Sequence, residues 1–232
     1  MRSKTGILSI VFFALLLGDI LGNALPNEWL HLICKPLLMP VLMMLLLQSE
    51  AVRYHAPAKW MAAGLFLSWL GDVLLMKGEQ PLFFMAGLGS FLLAHIFYIV
   101  YFNKLRTISF GQWAKAYFWV LIAVLLYAVS LFVRLKPFLG DMFIPVLLYT
   151  AVITSMLLLA LALRGQLPGK VAVKFGAGAA LFVASDSILA YNKFAAAVPQ
   201  AGLLIMLTYG VAQWLLCMAA VETARYFTRK QN

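Results

Sequence analysis

The 232-residue chain is 64% hydrophobic, only 11% of it is Asp, Glu, Lys or Arg, and its mean hydropathy is +0.94. Soluble domains carry roughly 25% charged residues, so this is the composition of a membrane protein. The net charge of +10 does not indicate a nucleic-acid partner, because the basic residues are scattered singly between apolar segments and form no continuous basic face.

A helix needs at least about 17 apolar residues to cross the hydrocarbon of a bilayer. Eight runs meet this requirement, at approximately 5–22, 30–48, 58–76, 81–102, 114–133, 142–163, 170–190 and 200–222. Arg2 and Lys4 ahead of the first run resemble the start of a signal peptide, but no small-x-small cleavage site follows, so the run is read as a span. The second run carries Lys35, Pro36 and Pro40; the prolines free backbone groups that only polar neighbours or water can satisfy, so a cavity is expected beside them. The third holds Gly71-Asp72-Val73-Leu74. In the fourth, Phe91, His95, Tyr98 and Phe102 recur at helical spacing, while Gly87, Ser90 and Ala94 form a small stripe suited to close packing. The seventh opens with small residues, Gly176 to Ala180, and ends in Asp186, Ser187 and then Asn192. In the eighth, Tyr209 and Gln213 share a face. The expected fold is all-α: a polytopic bundle of eight transmembrane helices in a single transmembrane domain, 1–232.

Thirteen of the Lys and Arg residues fall on the side that holds both termini, against five, Lys35, Lys77, Arg134, Lys136 and Lys193, on the other. Basic loops stay on the cytoplasmic side during insertion, so both termini are expected there. The same topology places Asp19, Asp72, Asp186 and Lys35 in one layer near the opposite surface.

Acids within a span are costly and mark functional sites by default. Asp72 and Asp186 are therefore the expected catalytic pair. In a water-poor cavity the neutral form of an acid is favoured and two close carboxylates repel, so one can donate a proton while the other stays ionised. The alternative is structural: each acid pairs with Lys35 or a loop lysine to close a helix end. Lys35 can hold a phosphate or snorkel to the interface. His95 can relay a proton, orient substrate, or simply bond to a neighbouring helix. Tyr98, Tyr209, Gln213 and Ser187 are the further candidates for lining a substrate.

No HExxH, CxxC, Walker-type loop or GxSxG elbow is present, and His31, His55 and His95 do not have metal-ligand spacing, so no metal and no cofactor are expected. Cys34 and Cys217 lie in separate apolar runs and read as buried thiols.

Taken together, Lys35-Pro36, Leu70 to Leu75, Gly87 to Tyr98, Phe182 to Ser187 and Tyr209 to Gln213, in this order within eight spans, resemble the lysoplasmalogenase family of YhhN-like membrane proteins. The resemblance implies hydrolysis of the vinyl ether of a lysophospholipid, the lysoplasmalogen, to a fatty aldehyde and glycerophospho-ethanolamine or -choline. It implies acid–base catalysis by Asp72 and Asp186, with Lys35 and Asn192 holding the phosphate and the alkyl chain lying between helices among membrane lipids. The expected location is a bacterial inner membrane. A proton-coupled transporter of a small or lipid-like substrate is the competing class, since acids at one depth beside a Pro-broken helix also describe a carrier.

Overall fold

The computed structural model describes residues 2–25 and 28–231. Its helices are α1 (Arg2–Ala24), α2 (Glu28–Leu47), α3 (Glu50–Arg53), α4 (Ala58–Leu75), α5 (Pro81–Leu105), α6 (Phe110–Ala116), α7 (Phe118–Leu135), α8 (Phe143–Leu161), α9 (Gly169–Ala190) and α10 (Ala201–Gln231), with no strand among the described residues. Eight of them, all but α3 and α6, are long and apolar enough to cross a membrane.

Two boundaries depart furthest from the predicted spans. The fifth begins later than 114, because the chain first forms the short α6 and breaks at Tyr117 (φ −120°, ψ 37°). Trp113 sits just before this break, its indole buried beside Leu158 and Ala162 at the C-terminal end of α8, while Ser109 and Gln112 close a reciprocal capping box that starts α6. The eighth helix runs past 222, because Glu222 is paired with Lys174 of α9, and Thr223 and Thr228 bond back to Ala219 and Ala224.

Helices in lipid associate by close packing, since lipid tails are as apolar as the side chains. α1 pairs with α2, α4 with α5 and α9 with α10, and α10 also meets α1, α2 and α4. The α4–α5 seam depends on glycine. A Cβ on Gly64 would lie 2.2 Å from the Tyr98 ring, and one on Gly71 would lie 2.6 Å from the Phe91 ring. The aromatic stripe of α5 is therefore pressed onto the backbone of α4. α7 is peripheral: it packs mainly on α8, and Trp119, Leu126 and Val129 are exposed on it.

Pro36 and Pro40 both lie inside α2. Pro40 has no N–H to donate to the carbonyl of Pro36, four residues back. The Trp69 indole of α4 donates to that carbonyl instead, at 3.0 Å. α9 ends in a π turn over Tyr191–Ala195, closed by Ala196 N–H donating to the Tyr191 carbonyl at 3.1 Å. The turn carries Asn192 and Lys193.

Candidate functional site

A cavity of about 630 Å³ opens between the ends of α1, α2, α4, α9 and α10. Its polar lining includes Lys35, Asp72, Asp186, Tyr209 and two cations from the connecting segments, Lys77 and Lys193. The sequence topology places Asp72, Asp186 and Lys35 at one depth, and all three line this cavity. Asp19 sits just behind it, fully buried, with Oδ1 2.7 Å from Nδ1 of His31, which is itself on the cavity wall.

Asp72 is 3% exposed and ends a directed chain of hydrogen bonds. The Tyr98 hydroxyl donates to Gln213 Oε1 at 2.8 Å, Gln213 Nε2 donates to the Tyr209 hydroxyl at 3.4 Å, and that hydroxyl donates to Asp72 Oδ2 at 2.7 Å. The amide of Gln213 is fixed by this network, with its oxygen toward one tyrosine and its nitrogen toward the other. Ser68 touches the far end, 3.4 Å from the Tyr98 hydroxyl. Every donor points toward the carboxylate, and such aligned chains polarise one another in a low dielectric.

Asp186 is held by a different helix. The Tyr149 hydroxyl of α8 donates to its Oδ2 at 2.5 Å. His95 Nε2 is 3.9 Å from the same oxygen, too far for a hydrogen bond, and neither ring nitrogen of this fully buried histidine has a partner. Its ring lies edge-on to Phe182 and Tyr149, with centroids 4.7 and 5.3 Å away. Among the described residues neither Asp72 nor Asp186 forms an ion pair with a Lys or Arg. Lys35 shares the cavity with both acids without a bonded contact to either.

A second, narrower cleft of about 70 Å³ runs between α5, α7, α8 and α9 and is lined mainly by apolar side chains. It shares Phe84, Asp186 and Leu189 with the polar cavity. Ser187 faces this cleft, donating to the Val183 carbonyl at 2.6 Å and accepting from the Tyr127 hydroxyl at 2.8 Å.

The structure thus brings Lys35, Asp72, Asp186 and Tyr209 to one cavity, puts Tyr98 and Gln213 behind Tyr209, and puts His95 behind Asp186. Asn192 is elsewhere: it is exposed, and its Oδ1 accepts from Val198 N–H at 2.9 Å, closing the loop that follows the π turn. The neighbouring Lys193 turns to the cavity instead, donating to the Gly78 carbonyl at 3.2 Å and lying 4.7 Å over the Phe84 ring. Tyr149 was not foreseen. It lies within an apolar run whose other hydroxyls, Thr150, Thr154 and Ser155, belong to shorter side chains, and a tyrosine hydroxyl there is the signal that it meets a polar group across the bundle.

Residues 30–220 match the YhhN family. The chain belongs to that family. It is similar to lysoplasmalogenase TMEM86B of Homo sapiens, 31% identical over 159 residues that cover 68% of this chain and 62% of the relative. It is also similar to lysoplasmalogenase TMEM86B of Rattus norvegicus, 32% identical over 191 residues covering 82% and 72%. With the uncharacterized membrane protein YhhN of Escherichia coli O6:H1 it shares 38% identity over 98 residues, 42% of each chain. The chain therefore spans less than two thirds of the human relative's length. No solved structure gives a significant match. The YhhN match contains both carboxyls, both tyrosines that bond them, and Lys35.

Proposed function

We propose that this YhhN-family chain is a lysoplasmalogenase-like hydrolase that opens the vinyl ether of a lysophospholipid within the membrane, releasing a fatty aldehyde and a glycerophospho-alcohol. The observation that carries this reading is the pairing of Asp72 and Asp186 on one cavity, each bonded to a tyrosine and neither to a Lys or Arg. The relatives named lysoplasmalogenase supply the reaction class.

Such a bond breaks when its outer alkene carbon is protonated. The resulting oxocarbenium ion takes up water, and the hemiacetal collapses to aldehyde and alcohol. A carboxylic acid and a carboxylate suffice for this sequence, as in glycoside hydrolysis, which passes through a similar cation. Lys35, Lys77 and Lys193 face the cavity and would hold the phosphate as point-charge donors. His95 orders the aromatic wall beside Asp186. With both termini cytoplasmic, as the loop charges favour, the cavity opens toward the other face of the membrane, and a bacterial inner membrane is the proposed location.

Purified protein incubated with a panel of lysolipids is expected to release aldehyde, read by mass spectrometry, from the vinyl-ether species. Asp72→Asn and Asp186→Asn are each expected to lower turnover at least 100-fold while the elution profile in detergent stays that of the parent. Movement of an unaltered substrate across a vesicle membrane under a pH gradient, with no aldehyde, would establish a carrier instead.

A further inference from the structure

Two cavities of opposite character meet at one carboxyl. Asp186 lines both the wide polar cavity and the narrow apolar cleft, whereas Asp72 lines the polar cavity alone. A lysoplasmalogen has the same division: its charged glycerophosphate lies on one side of the vinyl ether and its alkyl chain on the other. The outer alkene carbon is the atom that joins the vinyl ether to the chain. The carbon that water attacks is one bond closer to the glycerol.

We propose that the cleft between α5, α7, α8 and α9 holds the part of the substrate's single alkyl chain next to the vinyl ether, the rest running out beside α7 into lipid, and that Asp186 at its junction with the polar cavity protonates the outer alkene carbon while Asp72 activates the water. This rests on the lysoplasmalogenase reading above. The cleft lies behind α7, the most weakly packed span, whose Tyr127 is 46% exposed and bonded to Ser187 on the cleft wall. An alkyl chain reaches it from the surrounding lipid by passing beside α7, without entering the polar cavity. Ala128 and Leu131 of α7 and Ile153 of α8 then flank the chain beyond the reacting bond.

The proton balance closes on these two groups. The proton of the Asp186 carboxyl goes to the outer carbon, the alkene electrons form that C–H bond, and the ether oxygen shares the positive charge left on the inner carbon. Asp72 carboxylate takes a proton from water as the water oxygen bonds to that carbon, giving the hemiacetal. In the collapse, Asp72 returns its proton to the glycerol oxygen as the C–O bond breaks, and Asp186 takes the hemiacetal hydroxyl proton. Both groups end as they began. Tyr149 holds Oδ2 of Asp186, which leaves Oδ1 to carry the transferred proton.

The roles differ in what each variant does in deuterium oxide. Without Asp72 the cation still forms but captures water poorly and returns its proton, so Asp72→Asn is expected to wash deuterium into the outer vinyl carbon of recovered substrate. Asp186→Asn is expected to do neither. Exchange in Asp186→Asn, or in neither variant, overturns the assignment. Wild-type protein that releases no aldehyde in the same assay overturns the functional reading beneath it.

The chain site is tested without turnover by a lysophospholipid carrying a photoreactive diazirine in mid-chain, irradiated with the wild-type protein in detergent. Label is expected on α7 and α8 peptides, removed by excess unlabelled lysolipid. Label on α1 or α4, or label that competitor does not remove, overturns the placement. Ala128→Phe narrows the cleft and is expected to raise KM at least tenfold for long-chain over short-chain substrates; equal KM changes for both would count against it.

Discussion

The Tyr209 hydroxyl donates to Asp72 Oδ2 at 2.7 Å, and the bond joins α10 to α4 across the centre of the bundle. Removing it leaves a buried carboxyl without its donor but changes neither the shape of the ring nor its edge-on contacts with Phe91 and Phe182. Tyr209→Phe is therefore expected to act on function before packing. Under the proposed mechanism kcat for aldehyde release falls about tenfold or more with KM nearly unchanged, which corresponds to about 1.4 kcal/mol of lost transition-state stabilisation. A large rise in KM at constant kcat would show that Tyr209 binds substrate and does not serve the carboxyl.

Trp69 and Pro40 are coupled through a single carbonyl. The indole fills the donor position that proline leaves empty above Pro36, and in the membrane no water is at hand to replace it. Trp69→Phe is expected to cost about 1–3 kcal/mol, the penalty of an unsatisfied buried acceptor. In a Pro40→Ala background the restored backbone N–H takes over the carbonyl, so the same change should cost clearly less. Thermal unfolding of the four proteins in detergent measures the cycle, and additive effects would refute the coupling.

All eight spans were legible from apolar run length, because the length needed to cross hydrocarbon is set by the bilayer and not by tertiary context. The shared depth of Lys35, Asp72 and Asp186 followed from the alternation of spans alone. What could not be read was rotation. Tyr149 sits in a span whose apolar residues are spread round the whole helix, so periodicity does not say which face meets Asp186. Asn192, expected at the phosphate, instead closes the loop after the π turn over Tyr191–Ala195, while Lys193 reaches the cavity, and nothing in the local residues announces that turn. The late start of α7 was equally hidden: Trp113, just before it, looks like one more apolar residue until α8 is packed against it.

Gly64 and Gly89 test the close seam from opposite sides. A methyl group on Gly64 would strike the Tyr98 ring, which is fully buried and tied to Gln213, so the ring has no free end to yield. Gly64→Ala is expected to destabilise by about 1–3 kcal/mol, the usual cost of overpacking, and to disturb the chain leading to Asp72. Gly89, on α5, the partner helix of the seam, has nothing within 4 Å of a built Cβ. Gly89→Ala should be neutral or stabilising by about 0.5–1 kcal/mol through the lost flexibility of the unfolded chain. Equal thermal shifts in the two variants would show that contact with Tyr98 is not what requires glycine.

His55 lies in the connection between α3 and α4, stacked on Phe227 at 5.5 Å and edge-on to Tyr101 at 6.5 Å. Its buried Nε2 has no partner, and burial lowers its pKa from the ordinary 6.5. The folded protein therefore keeps this ring neutral in a range where the unfolded chain protonates it. Above pH 6.5 both states are neutral and His55 makes stability independent of pH; below it the unfolded state binds the extra proton, so stability is lost as pH falls. His55→Phe retains the stacking and removes the titration. The parent is expected to lose more thermal stability than His55→Phe between pH 7.5 and 5.5, so the difference between their melting temperatures should move in favour of the variant on acidification. Parallel curves for the two proteins over that interval would show that His55 is not held neutral by the fold.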